Sequence, residues 1–235
     1  MAALKSAEKE LYSRQLLVEG FDENAQVKVK QARILVIGAG GLGSAVIPML
    51  TAAGVGNLGI VEYDRVELSN LNRQILYSVG DIGKPKADVI HDKLKALNPS
   101  CKVKIYRERW SEENAEKLSD GYDLLIDCTD NYAARHASDA VSKRLQIPLV
   151  YGAVNDLEGQ VAVFNYKGSK GYRELFRKVI EPELQHQGVL GPIAGVIGNM
   201  QVAEALKIIT GYGELLTDKL CLISLKHNRF QVVAY

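Results

Sequence analysis

Short apolar runs alternate with stretches of helical periodicity along most of this chain. Ile34, Leu35, Val36 and Ile37 are apolar in succession, the pattern of a strand buried on both faces. A glycine-rich turn follows, and then a helical pattern over 45–53 that stops at Gly54. Further strands are predicted over 57–63, 102–106, 123–128 and 149–152, with helices over 84–97, 111–118 and 131–145. The helix over 84–97 stops before Asn98 and Pro99, because proline disfavours helical geometry in the residue ahead of it. Two helices are predicted ahead of the first strand, over 6–20 and 23–31. Ser6 is the expected cap of the first, Glu8 and Glu10 lie in its first turns, and Leu11, Leu16, Leu17 and Val18 are its apolar positions. Strands alternating with helices predict an α/β fold with a doubly wound, mainly parallel, Rossmann-like sheet.

The pattern changes after Gly152. A strand is predicted over 159–166, a long apolar helix over 192–209 with proline at its start, and a hairpin of strands 219–225 and 229–234. These antiparallel C-terminal strands extend the sheet, and Gly195 and Gly198 should let the long helix approach a neighbour closely. Residues 65–83 read as irregular and polar, and 167–191 carry no assignable pattern. No repeat or linker divides the chain. We therefore read 1–235 as one domain: N-terminal helices over 6–31, a nucleotide-binding core over 32–152, and a partner-binding and dimer-forming part over 153–235.

With 235 residues, 47% of them hydrophobic, the chain can bury a sizeable core. A net charge of +1 gives no electrostatic case for nucleic acid or an anionic membrane. Cys101, Cys128 and Cys221 are few and far apart, so neither a disulfide framework nor a zinc site is expected. The polar N-terminus has no signal-like apolar core, and no apolar run reads as long enough to span a bilayer, so a cytoplasmic location is the default.

The candidate chemistry begins at the glycines. Gly38, Gly40 and Gly43 match G-x-G-x-x-G between a strand and a helix, the context that motif needs. Gly38 allows a tight turn, Gly40 a close approach of backbone to phosphate, and Gly43 close contact of helix and strand. The helix N-terminus then offers unpaired N–H groups to an anion. Asp64 closes the second strand, where an acidic group binds ribose hydroxyls; its alternative role is a helix cap. Arg73 offers a planar fork of donors to phosphate oxygens and Lys86 a point charge. A nucleoside triphosphate needs such a cationic cluster, and a dinucleotide does not. Asp127, Cys128, Thr129 and Asp130 close the fourth strand, at the strand ends where ligands of open α/β sheets sit. Asp130 is placed to hold Mg²⁺ on a triphosphate, Asp127 and Thr129 can serve as capping groups, and Cys128 reads as a buried core thiol.

These motifs resemble the ThiF/MoeB/HesA family, bacterial relatives of ubiquitin-activating enzymes. The likeness runs from Tyr12-Ser-Arg-Gln-Leu16 to the terminal hairpin. It includes Gly38-Ala-Gly-Gly-Leu-Gly43, Ala53-Gly-Val-Gly56, Ser69-Asn-Leu-Asn-Arg-Gln74, Gly83-Lys-Pro-Lys86, Asp127-Cys-Thr-Asp-Asn131, Gly159-Gln160 and Gly188-Val-Leu-Gly191. The resemblance implies ATP- and Mg²⁺-dependent adenylation of the C-terminal glycine of a small ubiquitin-like sulfur-carrier protein. By the same likeness Gly38, Gly40, Gly41, Gly43, Asp64, Asn70, Arg73, Gln74 and Lys86 bind the nucleotide. Arg14, Arg73, Lys86 and Asp130 would be catalytic, with Asp130 on Mg²⁺ and Arg14 reaching the neighbouring subunit's triphosphate across a homodimer interface.

Two departures from the family stand out. Many members carry two C-x-x-C pairs for a structural zinc; here the first pair's position reads Tyr172-Arg-Glu-Leu-Phe176 and no second pair follows. Many also carry a carrier-linked cysteine, where this chain has Glu181-Pro-Glu-Leu-Gln-His-Gln187. Adenylation needs no enzyme nucleophile and is unaffected by either. Two other readings stay open: adenylation of a peptide or small carboxylate, and a nicotinamide-dependent oxidoreductase, which would leave Arg73, Lys86 and Asp130 without roles.

Overall fold

The computed structural model of the protein describes residues 3–177 and 188–235. Eight strands form one sheet: β1 (Arg33–Ile37), β2 (Asn57–Val61), β3 (Lys102–Tyr106), β4 (Leu124–Asp127), β5 (Leu149–Asn155), β6 (Glu158–Phe164), β7 (Lys219–Ser224) and β8 (Arg229–Ala234). Their spatial order is β3-β2-β1-β4-β5-β6-β7-β8. Strands β1 to β5 pair in parallel, and β5 through β8 are antiparallel. From β1 the chain winds outward to β2 and β3, then returns to place β4 on the other side of β1. The topological switch point lies between β1 and β4, where such folds open a crevice.

The helices follow the predicted periodicity: α3 (Glu23–Gln31), α4 (Gly41–Ala53), α5 (Lys86–Leu97), α6 (Glu112–Ser119), α7 (Tyr132–Leu145) and α9 (Gly191–Thr210). Their ends have local causes. Asp22 Oδ1 accepts from the Ala25 N–H at 2.9 Å at the start of α3. Gly54, at φ +92°, closes α4 in the left-handed region that favours glycine. Ile34, Val36 and the inner faces of α4 and α9 form one core, and Leu35, Ile37 and the inner faces of α6 and α7 form the other. Alternate residues of β1 thus face opposite layers, so its apolar run is continuous.

Several expectations change. The helix predicted over 6–20 is broken into α1 (Ser6–Leu11) and α2 (Ser13–Leu16). Tyr12 leaves helical geometry and is buried, its hydroxyl accepting from Asn98 Nδ2 at 2.9 Å. The cap of α1 is Lys5, whose N–H donates to Glu8 Oε2 at 2.7 Å, and Leu11, Leu17 and Val18 point to solvent. Within 167–191 a short helix, α8 (Tyr172–Leu175), forms because Asp139 accepts from its first backbone N–H at 2.8 Å. In α9 a Cβ on Gly198 would meet Ala45 Cβ and the Leu42 carbonyl at 2.9 Å, the predicted close approach, whereas Gly195 faces open space. By length and composition α9 could cross a bilayer, contrary to expectation, but it lies on the sheet with Gln201 and Glu204 among its buried residues.

Candidate active site

A cavity of about 910 Å³ opens at the C-terminal ends of β1, β2 and β4. Gly38, Gly40, Gly41 and Asp64 line it, as do Arg73, Gln74, Lys86 and Asp130. Gly43, Asn70 and Arg14 do not line it.

The glycine turn fixes the floor. Gly38 sits at φ +91°, and a Cβ there would stand 3.0 Å from the Cys128 carbonyl oxygen. A Cβ on Gly43 would meet the Gly38 carbonyl oxygen at 2.3 Å, so the first turn of α4 can lie against β1 only without a side chain there. Between them Ala39 is held twice. Its N–H donates to Glu62 Oε2 at 2.8 Å, and its carbonyl accepts from the Tyr77 hydroxyl at 2.9 Å. The other oxygen of Glu62 accepts from the N–H groups of Tyr63 and Asp64, each at 2.8 Å. Sequence reasoning missed both residues. Glu62 was visible as a second carboxylate near the end of β2; Tyr77 lay three residues past Gln74, in a stretch whose chemistry was read from Arg73 and its neighbours alone.

Lys86 begins α5 and is buried. Its Nζ stands 3.4 Å from Asp64 Oδ2, and its N–H donates to the Asp64 carbonyl at 2.9 Å. The loop from 68 to 77 holds Arg73 and Gln74 over the α4 N-terminus. Asn70 shapes that loop: its Oδ1 accepts from the Glu67 N–H at 3.2 Å, and its carbonyl accepts from the N–H groups of Arg73 and Gln74. Arg73 Nη1 donates to the Ser69 carbonyl at 3.0 Å and to Asn72 Oδ1 at 3.1 Å. Gln74 is buried, and its Oε1 has no partner among the described residues, an acceptor ready for a ligand donor.

At the end of β4, Asp127 is fully buried and its Oδ1 accepts from the Thr129 N–H at 2.8 Å and hydroxyl at 2.6 Å. Burial pushes its carboxyl above the usual range, and the nearby Arg135 charge opposes that. Burial likewise pushes the Cys128 thiol well up. Asp130 is exposed on the cavity wall. Among the described residues no cluster of three His, Cys, Asp or Glu side chains is placed for a metal ion. Mg²⁺ commonly takes one or two carboxylates plus substrate phosphates, and Asp130 fits that donor set.

Arg14 lies elsewhere. Its neighbour Gln15 donates to the Ala53 carbonyl at 3.3 Å, at the C-terminal end of α4. Thirteen residues of helix separate that end from the glycine turn, roughly 20 Å at 1.5 Å per residue.

The ThiF family model matches residues 12–235. The sulfur carrier protein adenylyltransferase of Thermus thermophilus is 42% identical over 224 residues, covering 92% of this chain and 83% of that protein. The molybdopterin-synthase adenylyltransferase of Escherichia coli is 40% identical, covering 94% and 90%. Among solved structures, PaaA superposes with a TM-score of 0.86 at 26% identity, covering 100% of this chain and 75% of PaaA. MccB of Escherichia coli with ATP superposes with a TM-score of 0.86 at 21% identity, covering 98% and 72%, a likeness of fold alone. Matched over nearly its whole length, the chain belongs to the ThiF family.

Proposed function

We propose that the protein adenylates the C-terminal carboxylate of a small ubiquitin-like sulfur-carrier protein ending in Gly-Gly, using ATP and Mg²⁺, as a homodimer. One observation carries the reading: a single cavity gathers the glycine turn, Asp64, Arg73, Lys86 and Asp130. Its relatives from Thermus thermophilus and Escherichia coli are named for adenylyl transfer. A carboxylate oxygen attacks the α-phosphorus, the bond to the bridging oxygen breaks, and pyrophosphate leaves. No proton need move. The α4 N-terminus and the turn cradle phosphate, while Arg73 and Lys86 neutralise developing charge. Asp64 takes the ribose hydroxyls. Asp130 would hold Mg²⁺, which when bound adds further neutralisation. Ala153, Asn155, Glu158 and Gln160 line the cavity on its β5–β6 side, the path proposed for the carrier tail. Tyr172, Phe176 and Val189 line it too, and residues 178–187 of the same proposed channel lie outside the described residues, as does the position of the family's carrier-linked cysteine.

Carrier-dependent ATP–pyrophosphate exchange tests this. Asp130→Ala should lower exchange by about 100-fold or more with the fold retained, and ATP with Mg²⁺, not NAD, should raise the melting temperature. Near-normal exchange in the variant would remove Asp130 from the mechanism. Stabilisation by NAD alone would return the site to dinucleotide chemistry.

A further inference from the structure

Adenylation brings an anionic carboxylate against an anionic phosphate, so each needs its own cation. Arg73 enters the cavity beside Gly41 of α4, on one face of the sheet. Arg135 enters from α7, on the other face, and leans on β5. Its guanidinium carbon stands 5.6 Å from the Tyr151 ring centre and 5.7 Å from that of Tyr132, within cation–π range of both. Tyr151 in turn neighbours Gly152 and is 3.4 Å from Gln160 through its hydroxyl, on the β5–β6 side of the cavity.

The acid that faces this held cation is the buried Asp127, but no carboxylate among the described residues lies within ion-pair distance of it. Arg135 Nη2 donates to the Thr129 carbonyl at 3.3 Å. Its Nε is buried without a partner among the described residues, and no carboxylate among them forms an ion pair with it. The nearby acid, Asp127, spends one oxygen on Thr129, and its Oδ2 is buried with no hydrogen-bond partner among the described residues, out of reach of the Arg135 edge. A desolvated N–H donor left unpaired is costly, and a guanidinium edge is shaped to give two parallel hydrogen bonds to a carboxylate.

We propose that Arg135 receives the attacking carboxylate of the acyl donor and aims it at the α-phosphate. The inference rests on the adenylation reading and deepens it. One carboxylate oxygen stays on the Arg135 edge while the other forms the new bond to phosphorus. The bond from phosphorus to the bridging oxygen breaks, and pyrophosphate takes the electron pair. Arg135 exchanges no proton.

The test compares a sulfur-carrier protein ending in Gly-Gly in two forms, with its terminal carboxylate and with a terminal carboxamide. Calorimetry measures the binding of each to the full chain loaded with an ATP analogue that cannot transfer its α-phosphate. Wild type should bind the carboxylate form at least about 10-fold more tightly. In Arg135→Gln that preference should fall below about twofold, with affinity for the ATP analogue unchanged within about twofold. Arg135→Lys keeps the charge without the fork and should fall between, and it decides the matter if the Gln variant fails to fold. A role confined to balancing Asp127 would weaken both carrier forms equally and leave their ratio intact, which overturns the proposal. Loss of nucleotide affinity with the ratio intact would assign Arg135 to phosphate and also overturn it. A wild-type ratio near one does so with no variant at all. Wild type that binds neither carrier form and shows no carrier-dependent exchange would sink the adenylation reading itself, and this inference with it.

Discussion

Glu62 and Tyr77 hold Ala39 by its N–H and its carbonyl, and so fix the turn that floors the cavity. Two carboxylates near the end of β2 look alike in sequence. The fold separates them: Glu62 is buried and bound to backbone, whereas the Asp64 side chain is half exposed. The three cysteines divide by the same physics. Burial pushes Cys101 up to about 11, and it raises Cys128 and Cys221 as well. Thiols so shifted hold little thiolate near neutral pH and make poor nucleophiles. A Cys101→Ser, Cys128→Ala, Cys221→Ser variant should therefore keep most of its carrier-dependent pyrophosphate exchange. Mass spectrometry after incubation with ATP and carrier checks this. A reductant-sensitive enzyme–carrier adduct that the variant cannot form would show that one thiol acts, with Cys128 on the cavity wall the first suspect.

At the scale of elements, the turn between β1 and α4 leaves no room for change. The Cβ of Gly43→Ala would stand 2.3 Å from a backbone oxygen that cannot swing aside as a flexible side chain would. We expect about 1–3 kcal/mol of destabilisation, with a weakened affinity for ATP, read by denaturant unfolding and nucleotide titration. Unchanged stability and affinity would mean that the turn adapts. Two glycines of β5 and β6 face inward: a Cβ on Gly152 would strike Gln201 at 2.5 Å, and one on Gly159 would strike Ile197 at 2.3 Å. Their lack of side chains admits α9 against the sheet.

For the whole molecule the question is Arg14. Roughly 20 Å of α4 separates its helix from the glycine turn of the same chain. Leu11, Leu17 and Val18 around it are 59%, 75% and 47% exposed, an apolar face with nothing over it among the described residues. The proposed homodimer would cover that face and bring Arg14 to the partner's site. Mixing inactive Arg14→Ala with inactive Lys86→Ala should then restore part of the exchange activity, because one site in each heterodimer keeps both residues. With subunit exchange confirmed, a lack of rescue would confine Arg14 to its own chain or remove its role.

Periodicity in the chain was enough to set the strands, most helices and the parallel winding, because continuous apolar runs and 3.6-residue stripes report burial directly. Strand–turn–helix context was likewise enough to place Gly38, Gly40, Asp64 and Asp130 at strand ends, where an open α/β sheet holds its ligands. What only the tertiary structure decided depends on residues far apart in sequence. Tyr12 breaks the first helix to reach Asn98, Asp139 nucleates α8 across 33 residues, and Gln74, Lys86 and the Nε of Arg135 become buried polar groups through elements that arrive from different layers. Such contacts leave no local period, since the free energy that selects them is that of satisfying buried polar atoms.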